Sequence, residues 1–203
     1  MPPLRLCPAV RMTEEFMKEL KRQIEAFLPC CAQEVKDQRM MLEWLRSGRD
    51  ILTRDNPVAH LTASAWVVSP DRRQVLMAYH NLYDSWAWLG GHADGDADLR
   101  CVAAREAMEE SGIPEVRPLG DGIASLEILT VDGHEKKGQY VSGHLHLNVT
   151  YLFEADPSAP LRRKEDENSA VAWIAVEDIP TKSTEPWFVA RIYSKLIQKA
   201  QTI

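Results

Sequence analysis

The sequence lacks a basic surplus, a cysteine framework and a long apolar run, and each absence removes a class of function. Lys and Arg number 24 against 30 Asp and Glu, for a formal net charge of −6 at pH 7. Binding along a nucleic-acid backbone draws on a basic surface that releases phosphate counterions, so no polymeric nucleic-acid partner is expected. A nucleotide-sized ligand stays open, provided that a metal ion supplies the positive charge. The four cysteines, Cys7, the adjacent pair Cys30 and Cys31, and Cys101, form no CxxC pair and are too sparse for a secreted disulfide scaffold. No apolar stretch reaches the roughly 18 to 20 residues needed to cross a bilayer, so no membrane partner is expected. The opening MPPLRLCPAVRM interrupts its apolar residues with prolines and Arg11, a poor pattern for a leader. A cytoplasmic location with free thiols is the expectation. Repeats and low-complexity segments are absent too.

What is present is the composition of a folded chain: 45% hydrophobic and 27% charged residues, enough to bury a core in one domain with an appendage. Thr13 with Glu14 and Glu15 reads as a helix start, and Phe16, Met17, Leu20, Ile24 and Phe27 follow at helical spacing up to Pro29. A second amphipathic stretch, 32–46, places Val35, Met41, Leu42 and Leu45 towards one side. Residues 1–56 are therefore expected to form a helical extension, whose apolar faces leave a homodimer open. From His60 the period changes towards two. LTASAWVV and VLMAY read as a hairpin about Ser69-Pro70-Asp71, and Trp86 to Leu89 as a short strand ending at Gly90-Gly91. A helix is expected from Leu99 to Glu110 with Gly112 as its stop, then strands near 124–131, 144–154 and 171–176, and a last helix over 186–198. The pieces 47–57 and 156–168 read as linkers. This order gives a mixed sheet covered by helices, with 57–203 as the main domain.

The chemistry concentrates in GHADGDADLRCVAAREAMEESGI, residues 91–113. Glu106, Glu109 and Glu110 stand at i, i+3 and i+4, within about a third of the helix circumference, while Cys101, Ala104, Ala107 and Met108 take the opposite side. Three like charges so close repel unless a cation or solvent compensates them, and a small hard ion such as Mg2+ takes carboxylate oxygens while sharing its other positions with phosphates. Arg105 stands i, i+4 from Glu109, where a guanidinium can fix the carboxylate in register. The upstream glycine turn lets backbone approach a ligand, with the Gly90 carbonyl as a further donor.

Gly91, Arg105, Glu106, Ala107, Glu109, Glu110, Gly112 and Ile113 fall at the spacing of the Nudix box, and the segment resembles that family. Matching the six specified Gly, Arg and Glu positions by chance has odds of about one in ten million per starting point. Ala97 departs from the pattern, standing where the first glutamate belongs; Asp96 and Asp98 flank it as substitutes, and Asp98 also reads as the helix N-cap. Leu89 likewise occupies a place where many members carry proline. The resemblance covers about 58–198 and implies an α/β/α sandwich with a mixed sheet. It implies Mg2+-dependent hydrolysis, with Mn2+ as the alternative ion, of a nucleoside diphosphate linked to another group. Arg105, Glu106 and Glu109 are then the catalytic residues. Gly90, Glu106, Glu109 and Glu110 are the metal ligands, joined by Glu167 from the acidic run before a strand containing Trp173.

Around this set, strand 144–151 alternates so that His144, His146, Asn148 and Thr150 share a face, and the two histidines are candidates to hold a phosphate, as against a solvent-facing strand. Tyr83 and Trp88 are the candidates for stacking on a base. A second reading is a catalytically weak member that binds a nucleotide-like ligand as a sensor. A third, isomerisation of an isoprenyl diphosphate through a cysteine, finds no matching thiol, since Cys101 lies on the apolar side of the helix.

Overall fold

The run LTASAWVV carries apolar or small residues at every position, the pattern of a strand covered on both faces. The structure, a computed structural model, describes residues 2–4, 14–81, 83–136, 138–164 and 168–203. Its central strand β1 (Ala59–Val68) is buried along its whole length. β1 runs parallel to β9 (His144–Glu154), with Ala59 opposite Leu145 and Val68 opposite Glu154. The other edge of β1 is divided between two antiparallel partners. β4 (Leu89–His92) lies along Thr62 to Ala65, and β2 (Gln74–His80) along Val67 and Val68. The sheet therefore forks beside Trp66. One branch continues from β2 to β3 (Ser85–Ala87) and β10 (Asn168–Ala175); the free edge of β9 takes β6 (Ser125–Val131) and the short β5 (Arg117–Pro118). A small hairpin pairs β7 (His134–Lys136) with β8 (Gln139–Val141).

Strand alternation divides the interior into two cores. Ala59, Leu61, Ala63, Ala65 and Val67 face the helix α3 (Leu99–Ser111), which brings Val102, Ala103, Ala104 and Ala107. Trp66, Val68, Met77 and Leu152 face the C-terminal segment, which follows α4 (Ile179–Lys182) and runs as α5 (Pro186–Phe188), a π turn (Val189–Tyr193) and α6 (Ser194–Gln201). The expected mixed sheet between helical layers is what the chain builds.

The N-terminal helices α1 (Glu14–Ala26) and α2 (Ala32–Arg46) join the first core rather than standing off it, through Leu20, Ile24, Phe27 and Met41. Much of the apolar surface that left a dimer open is thus covered within the chain. Val35, expected on the apolar side of α2, is exposed. The reason is that α2 turns polar residues inward to close the edge of β6: Gln33 Nε2 donates to the Leu126 carbonyl at 2.9 Å, and Asp37 accepts from the Ile128 N–H at 3.0 Å. An edge strand presents unpaired backbone groups, and here side-chain amide and carboxylate satisfy them. Thr13, Cys7 and the run Glu165-Asp166-Glu167 lie outside the described residues. Cys30 and Cys31 are free thiols, and no described helix is long and apolar enough to cross a membrane.

Candidate active site

The helix that carries the acids is fixed at both ends. Asp98 caps its N-terminus by accepting from the Cys101 N–H at 3.1 Å, and Gly112, at φ +75°, ends it with an N–H bonded to the Met108 carbonyl at 2.8 Å. Its alanines allow close approach to the sheet. β4 does not stop at the glycine pair but continues through it to His92, with Gly90 opposite Ser64 and Gly91 opposite Ala63. Both positions need glycine: a Cβ on Gly90 would lie 2.6 Å from the Ala63 carbonyl oxygen, and one on Gly91 would overlap the Glu106 carboxyl group.

Two of the three glutamates meet this glycine pair. Glu106 lays its carboxyl against Gly91. Glu110 is only 5% exposed, and its Oε2 accepts the Gly90 N–H at 2.9 Å while Oε1 accepts Asn168 Nδ2 at 3.1 Å. Glu109 points to solvent. The sequence reading of one outward acidic face is therefore corrected: i and i+4 converge on the glycines, with Glu110 drawn inside, and i+3 stays outside. Asn168 had been assigned to a linker. It begins β10 and is buried, and no local signal marks it, because its partner is 58 residues away.

Arg105 also takes a different partner. Its Nη1 donates to Asp96 Oδ2 at 3.2 Å, not to Glu109 as the helical spacing suggested. Asp96 is 4% exposed, and its Oδ1 accepts the Asp98 N–H at 3.1 Å, so one carboxylate ties the loop to the helix. Of the two acids flanking Ala97, Asp98 serves as the cap and Asp96 as the anchor for Arg105. Ala97 itself is buried in the core that α1 completes with Leu20 and Ile24. A glutamate there would put an unpaired charge under α1. Ala97→Glu is thus expected to lower stability by about 1–3 kcal/mol without raising activity; a denaturation midpoint and a rate measured on the same preparation check both.

On the other face of the sheet a polar strip runs towards the same glycine pair. Ser64 and Thr62 donate to Asn148 Oδ1 at 2.9 and 3.0 Å, and Asn148 Nδ2 donates to Glu127 at 3.1 Å. Lys195 of α6 closes it, 3.0 Å from both Glu127 and Glu34. Burial raises the Glu34 pKa, but the Cys30 N–H and the ammonium groups of Lys195 and Lys199 outweigh it and hold the carboxyl at about 2.

The strip ends in a group of histidines. His144 and His146 share a face as expected, with Nε2 atoms 3.2 Å apart, and the structure adds His60 and His92 beside them. His60, from β1, had not been singled out; it stands opposite His146 in the parallel register. Burial first, then the neighbouring imidazoles of His92, His60, His144 and His134, depress His146 to about 2, and burial likewise lowers His60. These rings are on the sheet face that α3 does not cover. Trp88, expected to stack on a base, instead meets Phe188 and Tyr193 edge-on at 6.1 and 5.7 Å between ring centroids. Tyr83 remains exposed beside His80.

The family model for the NUDIX domain matches residues 58–196, and the chain belongs to the Nudix family. No curated protein matches it significantly. Among solved structures, the Nudix hydrolase RenU from M. smegmatis is similar with a TM-score of 0.52 at 17% identity, over 71% of this chain and 87% of that one. The dihydroneopterin triphosphate pyrophosphohydrolase of E. coli gives 0.50 at 14% identity, over 70% and 96%. Likeness at such identities speaks for the shared fold.

Proposed function

We propose that this chain hydrolyses a diphosphate bond, in a nucleoside diphosphate linked to another group or a similar small molecule, with a metal-activated water. The observation that carries the reading is the convergence of Glu106 and Glu110 on Gly90 and Gly91 of β4, with Glu110 fixed by the Gly90 N–H and Asn168. Desolvating a carboxylate is costly, and two brought to one glycine pair suit a cation site better than a solvated helix face. The donors are hard oxygens, carboxylates of Glu106, Glu109 and Glu110 and the carbonyl of Gly90, with Glu167 as a further acid, and such a set fits Mg2+ or Mn2+. A cation held there screens the diphosphate charge and lowers the pKa of a bound water.

The chain's own groups do the rest. Glu106 or Glu109 takes the proton of the attacking water as an ionised base. Arg105, anchored on Asp96, keeps the start of the helix in place and so acts as a positioning residue. Tyr83 is assigned to the base; Trp88 has its ring committed to Phe188 and Tyr193 and is the weaker stacking group. Residues 57–203 form the catalytic unit and 1–56 its helical extension, working on a small molecule in the cytoplasm.

The test is a panel of diphosphate compounds incubated with Mg2+, with Mn2+ and with EDTA, followed by product identification. Cleavage that requires the metal is the expected result. Saturable nucleotide binding with no turnover on any compound would instead make the chain a binding module.

A further inference from the structure

A metal of another kind has its own place in this fold. One ring nitrogen from each of His60, His144 and His146 lies within 4.8 Å of the other two. The Nε2 to Nε2 distance of His144 and His146, 3.2 Å, is close to the edge of a tetrahedron with Zn–N bonds of 2.0–2.1 Å, which is about 3.3–3.4 Å.

The proton positions favour ligation. His60 Nδ1 is 3.3 Å from the Asn56 carbonyl and His144 Nδ1 is 2.8 Å from the Ser142 carbonyl. A carbonyl only accepts, so in its neutral form each ring carries the proton on Nδ1 and leaves a lone pair on Nε2. This is the outer contact by which a ligating histidine is oriented. His60 is only 4% exposed, yet its Nε2 has no hydrogen-bond partner among the described residues. A buried polar atom left unsatisfied is costly, and here three other imidazoles surround it, at centroid distances of 4.8 Å for His144 and 5.1 Å for His92 and His146.

We propose that His60, His144 and His146 bind one Zn2+ ion, with His92 beside them as a fourth ligand, and that the ion ties β1 to β9. Imidazole nitrogens suit zinc and its first-row neighbours, whereas magnesium takes oxygen donors, so this site and the carboxylate set select different ions. They also lie on opposite faces of the sheet. Glu106 meets Gly91 from the side of α3, whereas His60 alternates with Ala59 and Leu61 and has its side chain on the face away from α3. The site does not rest on the hydrolase reading.

The test uses the full chain stripped with EDTA and titrated calorimetrically with Zn2+ alone. One equivalent is expected to bind, and at free Zn2+ about 100 times Kd the Tm is expected to rise by about 5–10 °C. His144→Gln and His60→Ala are expected to weaken binding by at least ~10-fold, while Glu110→Gln leaves it unchanged. Because His60→Ala removes a buried ring, Co2+ added to the unaltered chain gives a second readout. A visible absorption of tetrahedral intensity supports the imidazole set. Failure of the unaltered chain to take up Zn2+, binding unaffected by either histidine change, or binding abolished by Glu110→Gln would overturn the proposal.

Discussion

Glu109→Gln and Glu110→Gln are each expected to lower metal-dependent diphosphate cleavage by at least ~10²-fold, the scale of losing electrostatic stabilisation in a transition state. The two variants differ in everything else. Glu109 is exposed, so its amide costs the fold almost nothing and the rate loss stands alone. Glu110 accepts two hydrogen bonds through its two oxygens, from Gly90 and Asn168. A glutamine can accept only one of them, and its NH2 then faces a donor, which adds about 1–3 kcal/mol of destabilisation. Steady-state rates beside urea midpoints separate these terms. Full activity in both variants would remove the glutamates from the chemistry.

Lys195→Met is expected to cost about 3–5 kcal/mol of stability, because it leaves the fully buried Glu127 without its cation, while Glu34 keeps only Lys199. The denaturation midpoint should fall with little change in slope, and adding Glu127→Gln should recover part of the loss. A fall below about 1 kcal/mol would show that the pair is solvated after all. The same group sets a pH window. The Glu34 carboxyl is held at about 2 in the fold against an ordinary value of 4.5, so its contribution is complete above about 4.5 and disappears as the pH falls towards 2. For Lys195 burial alone would lower the pKa, but Glu127 and Glu34 raise it above 10.5; its contribution is complete below that value and is lost as the pH rises through the raised pKa. Stability measured across pH should therefore be level between these limits as far as this group is concerned.

The helix was legible in the sequence because the information is local: a cap at Asp98, small residues on the side that packs, and a glycine whose backbone is left-handed at the stop. What the helix touches was not legible. Arg105 had a plausible partner four residues away, but Asp96, brought back by the loop, is the one it finds. Asn168 and His60 acquire their roles only when distant strands pair, and no spacing within a single segment announces that. The alternation at 144–151 did show His144, His146, Asn148 and Thr150 on one face, yet polar residues usually mark a wet face. Here Asn148 and Thr150 are buried, because Glu127, Thr62 and Ser64 arrive from other strands to satisfy them.

That buried strip also bears on the order in which the molecule can be made. Its longest bonds join segments remote in the chain, Gln33 to Lys195 across 162 residues and Thr62 to Asn148 across 86. Closing such loops is entropically unfavourable until the contacts exist, which slows folding. During synthesis β1 would leave the ribosome well before β9, its parallel neighbour, with Thr62 and Ser64 still lacking their partners. The sheet beneath Gly90 and Gly91 therefore cannot be finished piecemeal, and until α6 emerges the nascent chain carries an open, half-polar sheet face suited to holding by a chaperone.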